Sequence, residues 1–339
     1  MPTLVKIPYA DIRGYTPLEL LFLHRRKAHA LVEAARGTFG DTSRAASTLL
    51  MPFGDRASRR WLEKAHNPYL MEISCIAEAL GISGVYILNL CFEWGCTSGV
   101  WRTADGPVLR RVLDWPFPSL GENIVVAHQK GPAGDFYNVT WPGFSGVLQA
   151  SAPGRFAAAI NQAPMRRRGI GFVGDWAVGR MTVRRTLALP PSHLLRRVFE
   201  TAEDFTAAKE MLCHVPVAVP AIFILSGVHR DEACVIERTE DAFAPREANE
   251  LPVCATNHFE SHLNHRGHGW RARPIDSRGR LACAQHLGAA ADFSWFRPPI
   301  ANINTRLAMV ANAAKGMLTV IGTAGEQPVT EAFHMPADG

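Results

Sequence analysis

The 339-residue chain is 47% hydrophobic and 20% charged, a globular composition that excludes disordered and collagenous classes and supplies apolar material for one large or two closely packed cores. Thirty-six Lys and Arg against 31 Asp and Glu leave a formal charge of +5 dispersed along the sequence, which speaks against a basic tail built for polyanions. No secretory-signal pattern opens the sequence, no apolar run approaches roughly 18 residues, and seven cysteines without CxxC pairing suit a reducing compartment. The expectation is therefore a soluble, cytoplasmic protein with no integral membrane segment.

In chain order, the first 95 residues read as mostly helical. "YTPLELLFLHRRKAHALVEAARGT" predicts one helix, capped by Thr16, opened by Pro17 and closed at Gly37. "NPYLMEISCIAEALG" repeats that grammar, with Asn67 as cap, Leu70, Ile73, Ala77 and Leu80 on one face, and Gly81 as stop. A third apolar stretch, "GVYILNLCFEW", leads to Cys96.

Beyond Cys96 the period changes to that of strands. "CTSGVWRT" and "PVLRRVLDW" flank Asp105-Gly106, a dipeptide suited to a hairpin turn. Further strands are expected in "ENIVVAH", "DFYNVTW", "RFAAAIN", "AIFILSG", "ACVIERT", "VCATNHF" and "GMLTVIGT", and helices in "PSHLLRRVFETAED" and "RLACAQHLGAAAD". This alternation predicts an α+β fold with a largely antiparallel sheet. A cysteine acts as a nucleophile only where its thiolate can form and be reached, which calls for a nearby positive charge or base. The hairpin brings Arg111 and Asp114 back past Cys96, one to stabilise a thiolate and the other to hold a proton-transfer group.

"CTSGVWRTADGPVLRRVLDW" resembles the nucleophile hairpin of the N-terminal nucleophile hydrolases related to acid ceramidase, N-acylethanolamine acid amidase and choloylglycine hydrolase, which open on Cys-Thr-Ser and carry Arg-x-x-Asp on the second strand. "EISCIAEALGISGVYILNLCFEWGCTS" resembles the helical segment that precedes the nucleophile in the ceramidase branch. "VCATNHF" resembles the strand whose asparagine serves the oxyanion hole, here Asn257. "PIDSRGRLACAQHL" resembles the start of the next helix, with Arg278 the better match for its arginine and Arg280 an additional candidate. "AAINQAP" resembles the Asn-Glu-x-Gly segment, which adds Asn161. This sequence departs from the family pattern in a hairpin one residue shorter, in Gly99 where an aliphatic residue is usual, in Pro164 in place of a glycine, and in the position of Glu93.

The resemblance implies a four-layer αββα sandwich, with residues 1–95 as a helical propeptide or α subunit and 96–339 as the catalytic β subunit. It also implies a self-made cut between Gly95 and Cys96, after which the two fragments stay associated. The freed α-amine, with a reference pKa of about 7.7 to 8.0, would be the general base. Catalysis would rest on Cys96, Arg111, Asp114, Asn257 and Arg278, with Asn161 and Arg280 as further candidates. The implied activity is hydrolysis of a linear, non-peptide carbon-nitrogen amide in a small-molecule substrate with an apolar acyl group, with Trp94, Trp101, Trp115 and Phe117 available to line its pocket. No metal or organic cofactor is implied. Acyl transfer through the same acyl-cysteine is the alternative, and a non-catalytic ligand-binding role is the alternative of another class. Whether the chain forms a homo-oligomer stays open.

Two other patterns give weaker signals. "NHFESHLNHRGHGW" offers His258, His262, His265 and His268, yet its glycines and Asn264 favour a loop over a metal-binding helix. "HRRKAH" and "MRRRG" lack any recognisable reading element for nucleic acid, and a solvated face is expected for both.

Overall fold

The computed structural model describes residues 4–38, 44–90, 95–117, 119–247, 252–271, 275–288, 290 and 292–335. Two sheets stack face to face. The first runs in the spatial order Tyr9–Asp11, Val125–Gly131, Gly134–Thr140, Gln149–Ala152, Phe156–Gln162, Ala221–Ser226, Ala233–Arg238, Phe243–Glu247. The second runs Val253–Ala255, Gly95–Thr103, Gly106–Asp114, Thr305–Asn312, Met317–Ala324, with Gln327–Pro328 and Phe333–Met335 both pairing the last of these. The pairing within both is antiparallel apart from Tyr9–Asp11, which lies parallel to Val125–Gly131. Helices Pro191–Thr201 and Phe205–His214 cover the outer face of the first sheet, and helix Ser277–Gln285 covers the second. The result is the expected four-layer αββα sandwich.

Side-chain alternation along the Gly95–Asp114 hairpin decides what faces what. Cys96, Ser98 and Val100 stand opposite Leu113, Arg111 and Leu109. Their apolar members join the large core between the sheets. Trp101, Val108 and Val112 point the other way, into a second cluster beneath Leu281 and Ala284 of the covering helix. Gly99 also lies on that outer face: a Cβ there would sit 2.9 Å from the Trp101 ring and 2.7 Å from Cys254 Sγ, so the tryptophan occupies the space an aliphatic side chain would need. The turn itself is Ala104-Asp105, one residue earlier than expected, and Gly106 opens the return strand at φ +104°, a conformation that favours glycine.

The leading segment departs from its reading in three places. The first predicted helix is broken at His24 into Leu18–Leu23 and Arg25–Thr38, and the cap position falls on Pro17, with no side-chain cap. A helix not foreseen, Arg44–Lys64, follows with Pro52 inside it. The segment is also not wholly helical, since Tyr9–Asp11 is the edge strand of the first sheet. By contrast Leu70–Leu80 forms where expected and ends on a left-handed Gly81, but its N-cap is Tyr69, without a side-chain cap bond; Asn67, expected there, accepts from Tyr69 N–H through Oδ1 at 3.0 Å ahead of the helix. Of the "GVYILNLCFEW" stretch, Val85–Asn89 is helical and 91–94 lie outside the described residues.

A buried ionic cluster joins this segment to the sandwich. The Arg196 guanidinium donates to both oxygens of Glu72 at 2.8 and 3.1 Å, to Glu200 at 2.8 Å and to the Ser145 carbonyl at 2.7 Å, and it lies 4.1 Å above the Tyr69 ring. Removing one member of such a cluster strands the others in a dry interior. Arg196→Met should therefore lower unfolding free energy by about 3–5 kcal/mol, measured by urea denaturation. A loss below about 1 kcal/mol would mean that water reaches Glu72 after all.

Candidate active site

Cys96 sits one residue into its strand, fully buried, with Sγ 3.7 Å from the Ile160 carbonyl of the facing sheet. Burial pushes its thiol pKa up, and the nearby Arg111 guanidinium pulls against that. Arg111 is also fully buried and shares the inner face with Ser98. Its Nη1 donates to Asn161 Oδ1 at 3.1 Å and to Ser98 Oγ at 3.3 Å, and its Nε donates to Gln149 Oε1 at 2.8 Å. Asn161, from the facing sheet, fixes its own amide by donating to the Ala255 and Thr256 carbonyls at 2.9 and 3.1 Å.

Asp114 is three residues on from Arg111, so it projects from the opposite face of the same strand. It pairs in register with Gly95, and a Cβ on Gly95 would lie 3.2 Å from Asp114 Cβ; glycine at 95 is what lets the carboxylate press against the backbone of the Gly95–Cys96 peptide. Asp114 Oδ1 accepts from Thr305 Oγ1 at 2.7 Å. Its Oδ2 faces Arg280 Nη1 at 3.4 Å and has no well-formed hydrogen bond among the described residues. Burial pushes the carboxyl pKa up, with Arg280 the largest opposing influence.

Arg280 ties the outer face together. Its Nη1 donates to the Cys96 carbonyl at 2.5 Å and to Thr97 Oγ1 at 2.8 Å, and its Nη2 donates to Asn257 Oδ1 at 2.7 Å. Arg278 is exposed, which corrects the sequence reading of it as the site arginine. Helix Ser277–Gln285 buries Ser277, Arg280, Leu281 and Ala284, the 3.6-residue stripe that faces the sheet, and position 278 falls on the solvent side. The choice between two arginines two residues apart thus depended on where the helix begins.

Asn257 meets the backbone of Cys96 directly. Its Oδ1 accepts the Cys96 N–H at 3.0 Å as well as Arg280, and its Nδ2 donates to the Gln162 carbonyl at 2.9 Å. Because a guanidinium only donates, this orientation of the amide is fixed. Asp114, Asn257 and Arg280 therefore meet the backbone of Gly95 and Cys96, Arg111 and Asn161 meet each other and Ser98 on the inner face, and Arg278 joins neither group. Gln149, Thr305, Ser98 and Ser277 complete the network. Ser98 and Ser277 lie within the quoted segments but, like Gln149 and Thr305, carry no sequence signal of the partner each meets across the fold.

Of the aromatic residues expected near a pocket, Trp115 and Phe117 line a small apolar cavity of about 30 Å³ together with Leu31, Val32, Leu80 and Trp141. Trp101 lies on the outer face, donating its indole N–H to the Leu287 carbonyl, so it takes no part in that cavity. Trp94 and Glu93 lie outside the described residues. His262, His265 and His268 are solvent-exposed, and among the described residues no three His, Cys, Asp or Glu side chains converge as metal ligands. No helix among the described residues is long and apolar enough to cross a membrane.

This double sheet, with a buried cysteine near the head of an inner strand, has the fold of the N-terminal nucleophile hydrolases. A solved structure with the same fold, the Caenorhabditis elegans ortholog of N-acylethanolamine-hydrolyzing acid amidase, superposes with a TM-score of 0.51 at 19% identity, covering 71% of this chain and all of that one. In sequence the chain is similar to acid ceramidase of Bos taurus, 28% identical over 192 residues that make up 50% of this chain and 47% of the relative. It is likewise 28% identical over 179 residues to N-acylethanolamine-hydrolyzing acid amidase of Rattus norvegicus, with the same coverage. The chain thus spans about half the length of the curated relatives it matches. No family model matches it. Sequence and fold together set the chain beside the acid ceramidase and N-acylethanolamine acid amidase group.

Proposed function

We propose that this chain is a cysteine amidase that cuts its own Gly95–Cys96 bond and then hydrolyses an N-acyl amide with an apolar acyl group. The observation that carries this reading is Asp114 Oδ2, a buried carboxylate oxygen without a well-formed hydrogen bond, in a side chain that abuts Gly95. That oxygen has only the Arg280 ion pair at 3.4 Å, and a free amine at Cys96 would add the close donor it lacks. In the first reaction Cys96 Sγ adds to the Gly95 carbonyl carbon, the carbon-nitrogen bond breaks as the amine takes the thiol proton, and water opens the thioester to a Gly95 carboxylate. In the second, the Cys96 amine receives the thiol proton as Sγ attacks the substrate amide, passes it to the leaving amine, and then activates water against the acyl-enzyme. Residues 1–95 and 96–339 would be the two fragments.

The names of the relatives support an acyl amide as substrate; the aromatic cavity, whose lining includes Trp115 beside Asp114 in sequence but neither Cys96 nor Asp114 themselves, is the place we propose for an apolar acyl group. At about 30 Å³ the cavity holds no more than a small apolar group in the continuous chain, so an acyl chain requires it to widen. A series of N-acyl amides of increasing acyl length tests this. Each methylene that enters should raise kcat/KM about fourfold, from ~0.8 kcal/mol per buried CH₂, until the pocket is full. A flat series would remove the apolar pocket from the reading. In the same assay Asn257→Ala should lower kcat about a hundredfold and KM far less, because an oxyanion donor acts on charge that develops in the transition state.

A further inference from the structure

Behind Asn257 lies a chain of side chains that the proposed chemistry does not use. Ser277 Oγ accepts the Asn257 backbone N–H at 2.9 Å. His258 Nδ1 lies 2.7 Å from that same Oγ, and His258 Nε2 lies 2.9 Å from Glu260 Oε1. Thr256 Oγ1 donates to the Ser277 carbonyl at 2.8 Å and also lies 2.9 Å from Ser277 Oγ and 3.2 Å from His258 Nδ1, so the Ser277 hydroxyl has both Thr256 Oγ1 and His258 Nδ1 as acceptors within reach. An ionised Glu260 accepts only, so the neutral imidazole carries its proton on Nε2 and turns its Nδ1 lone pair to Ser277. Burial holds the His258 pKa below its ordinary value, against the pull of Glu260, which keeps that neutral tautomer populated. The loop is anchored from below by the fully buried Glu237, whose carboxylate accepts from Glu260 N–H at 2.8 Å and from Ser261 N–H and Oγ at 3.0 and 2.6 Å.

We propose that Glu260, His258 and Ser277 form a positioning relay for the Cys96 site, holding Asn257 by its backbone and Arg280 by the start of its helix. This role rests on the reading of Cys96 as nucleophile. Ser277 is the first residue of the helix that carries Arg280, and Asn257 Oδ1 bonds both Arg280 and Cys96 N–H. A relay that fixes the Ser277 hydroxyl thus fixes two of the groups that touch the nucleophile's backbone, although none of its own members reaches Cys96. Such placement matters because a misalignment of about 1 Å can cost roughly a hundredfold in rate.

The test has a structural arm and a kinetic arm. In the Cys96→Ala protein, nitrogen-15 NMR should find His258 as the Nε2–H tautomer, and His258→Ala should shift the Asn257 backbone amide signal. An Nδ1–H tautomer, or an unmoved Asn257 signal, overturns the relay whatever the enzyme does. In the otherwise wild-type chain, His258→Ala should slow both Gly95–Cys96 scission and turnover of a fluorogenic N-lauroyl amide by about ten- to a hundredfold in kcat, with KM within about twofold. His258→Asn, whose Oδ1 replaces Nδ1 as acceptor, should recover most of that loss. Ser277→Ala combined with His258→Ala should be no worse than either alone, because the two act as one unit. Unchanged kcat in His258→Ala against an active wild type overturns the proposal. A wild type with neither scission nor turnover overturns the Cys96 reading instead and reduces the relay, still visible by NMR, to a structural feature.

Discussion

Held at a permissive pH and then denatured, the wild-type chain should separate into residues 1–95 and 96–339, the larger piece beginning Cys96-Thr97-Ser98, while Cys96→Ala should stay whole. The expectation follows from what surrounds this one peptide bond. Its carbonyl side is Gly95, the residue that lets Asp114 approach, and on its amide side Asn257 accepts the Cys96 N–H while Arg280 binds the Cys96 carbonyl. Burial pushes the thiol pKa up, and on the proposed reading the intact chain would be a latent form. Cys96→Ala should also lose amide hydrolysis by at least ~10⁴-fold, the scale set by removing a nucleophile that works with its base as a unit. Intact-protein mass spectrometry reads the outcome. An active wild type with an unbroken Gly95–Cys96 bond would defeat the proposal that the Cys96 amine is the base. The separated pieces should remain together natively, since the leading helices share the large core and the Arg196 cluster spans the cut.

Arg280→Met should be nearly as damaging as loss of the nucleophile, and Arg278→Ala should be almost silent. Arg280 is the charge that opposes the burial of Asp114, and it binds Cys96, Thr97 and Asn257 at once. With a methionine there, the carboxylate is left in a dry site with no cation against it. The cost should be about 3–5 kcal/mol of stability, and scission should slow by at least about a hundredfold. Arg280→Lys should recover little, because a single ammonium cannot reproduce the planar fork that reaches three acceptors. Arg278→Ala removes an exposed side chain and should change turnover by less than about twofold. The three variants compared with wild type by calorimetry and by rate of scission decide the matter: equal losses at 278 and 280 would mean that the helix presents its other face to the sheet.

Much of this was legible in the sequence where the determining contacts are short. The helix Leu70–Leu80 follows from Asn67, the apolar stripe and Gly81, all within one local pattern, and the Gly95–Asp114 hairpin follows from alternation about a turn. The break at His24 and the long helix through Pro52 were not legible, because packing overrode the local propensities of those stretches. Helix Phe205–His214 and strand Thr305–Asn312 escaped too; the strand is nevertheless the one that brings Thr305 to Asp114. The residue types of the candidate site came from resemblance, but their assembly is a property of the sandwich. Cys96 meets Asn257 across 161 positions and Arg280 across 184, and Asp114 meets Thr305 across 191. Contacts of that span carry no local period, so the tertiary structure alone decided that Arg280 faces inward and that His258 stands behind Asn257. By itself the sequence determined where the Cys96 hairpin lies and what chemistry its residue types allow; only the stacking of two sheets and the turning of one helix settled which side chains surround the Gly95–Cys96 bond.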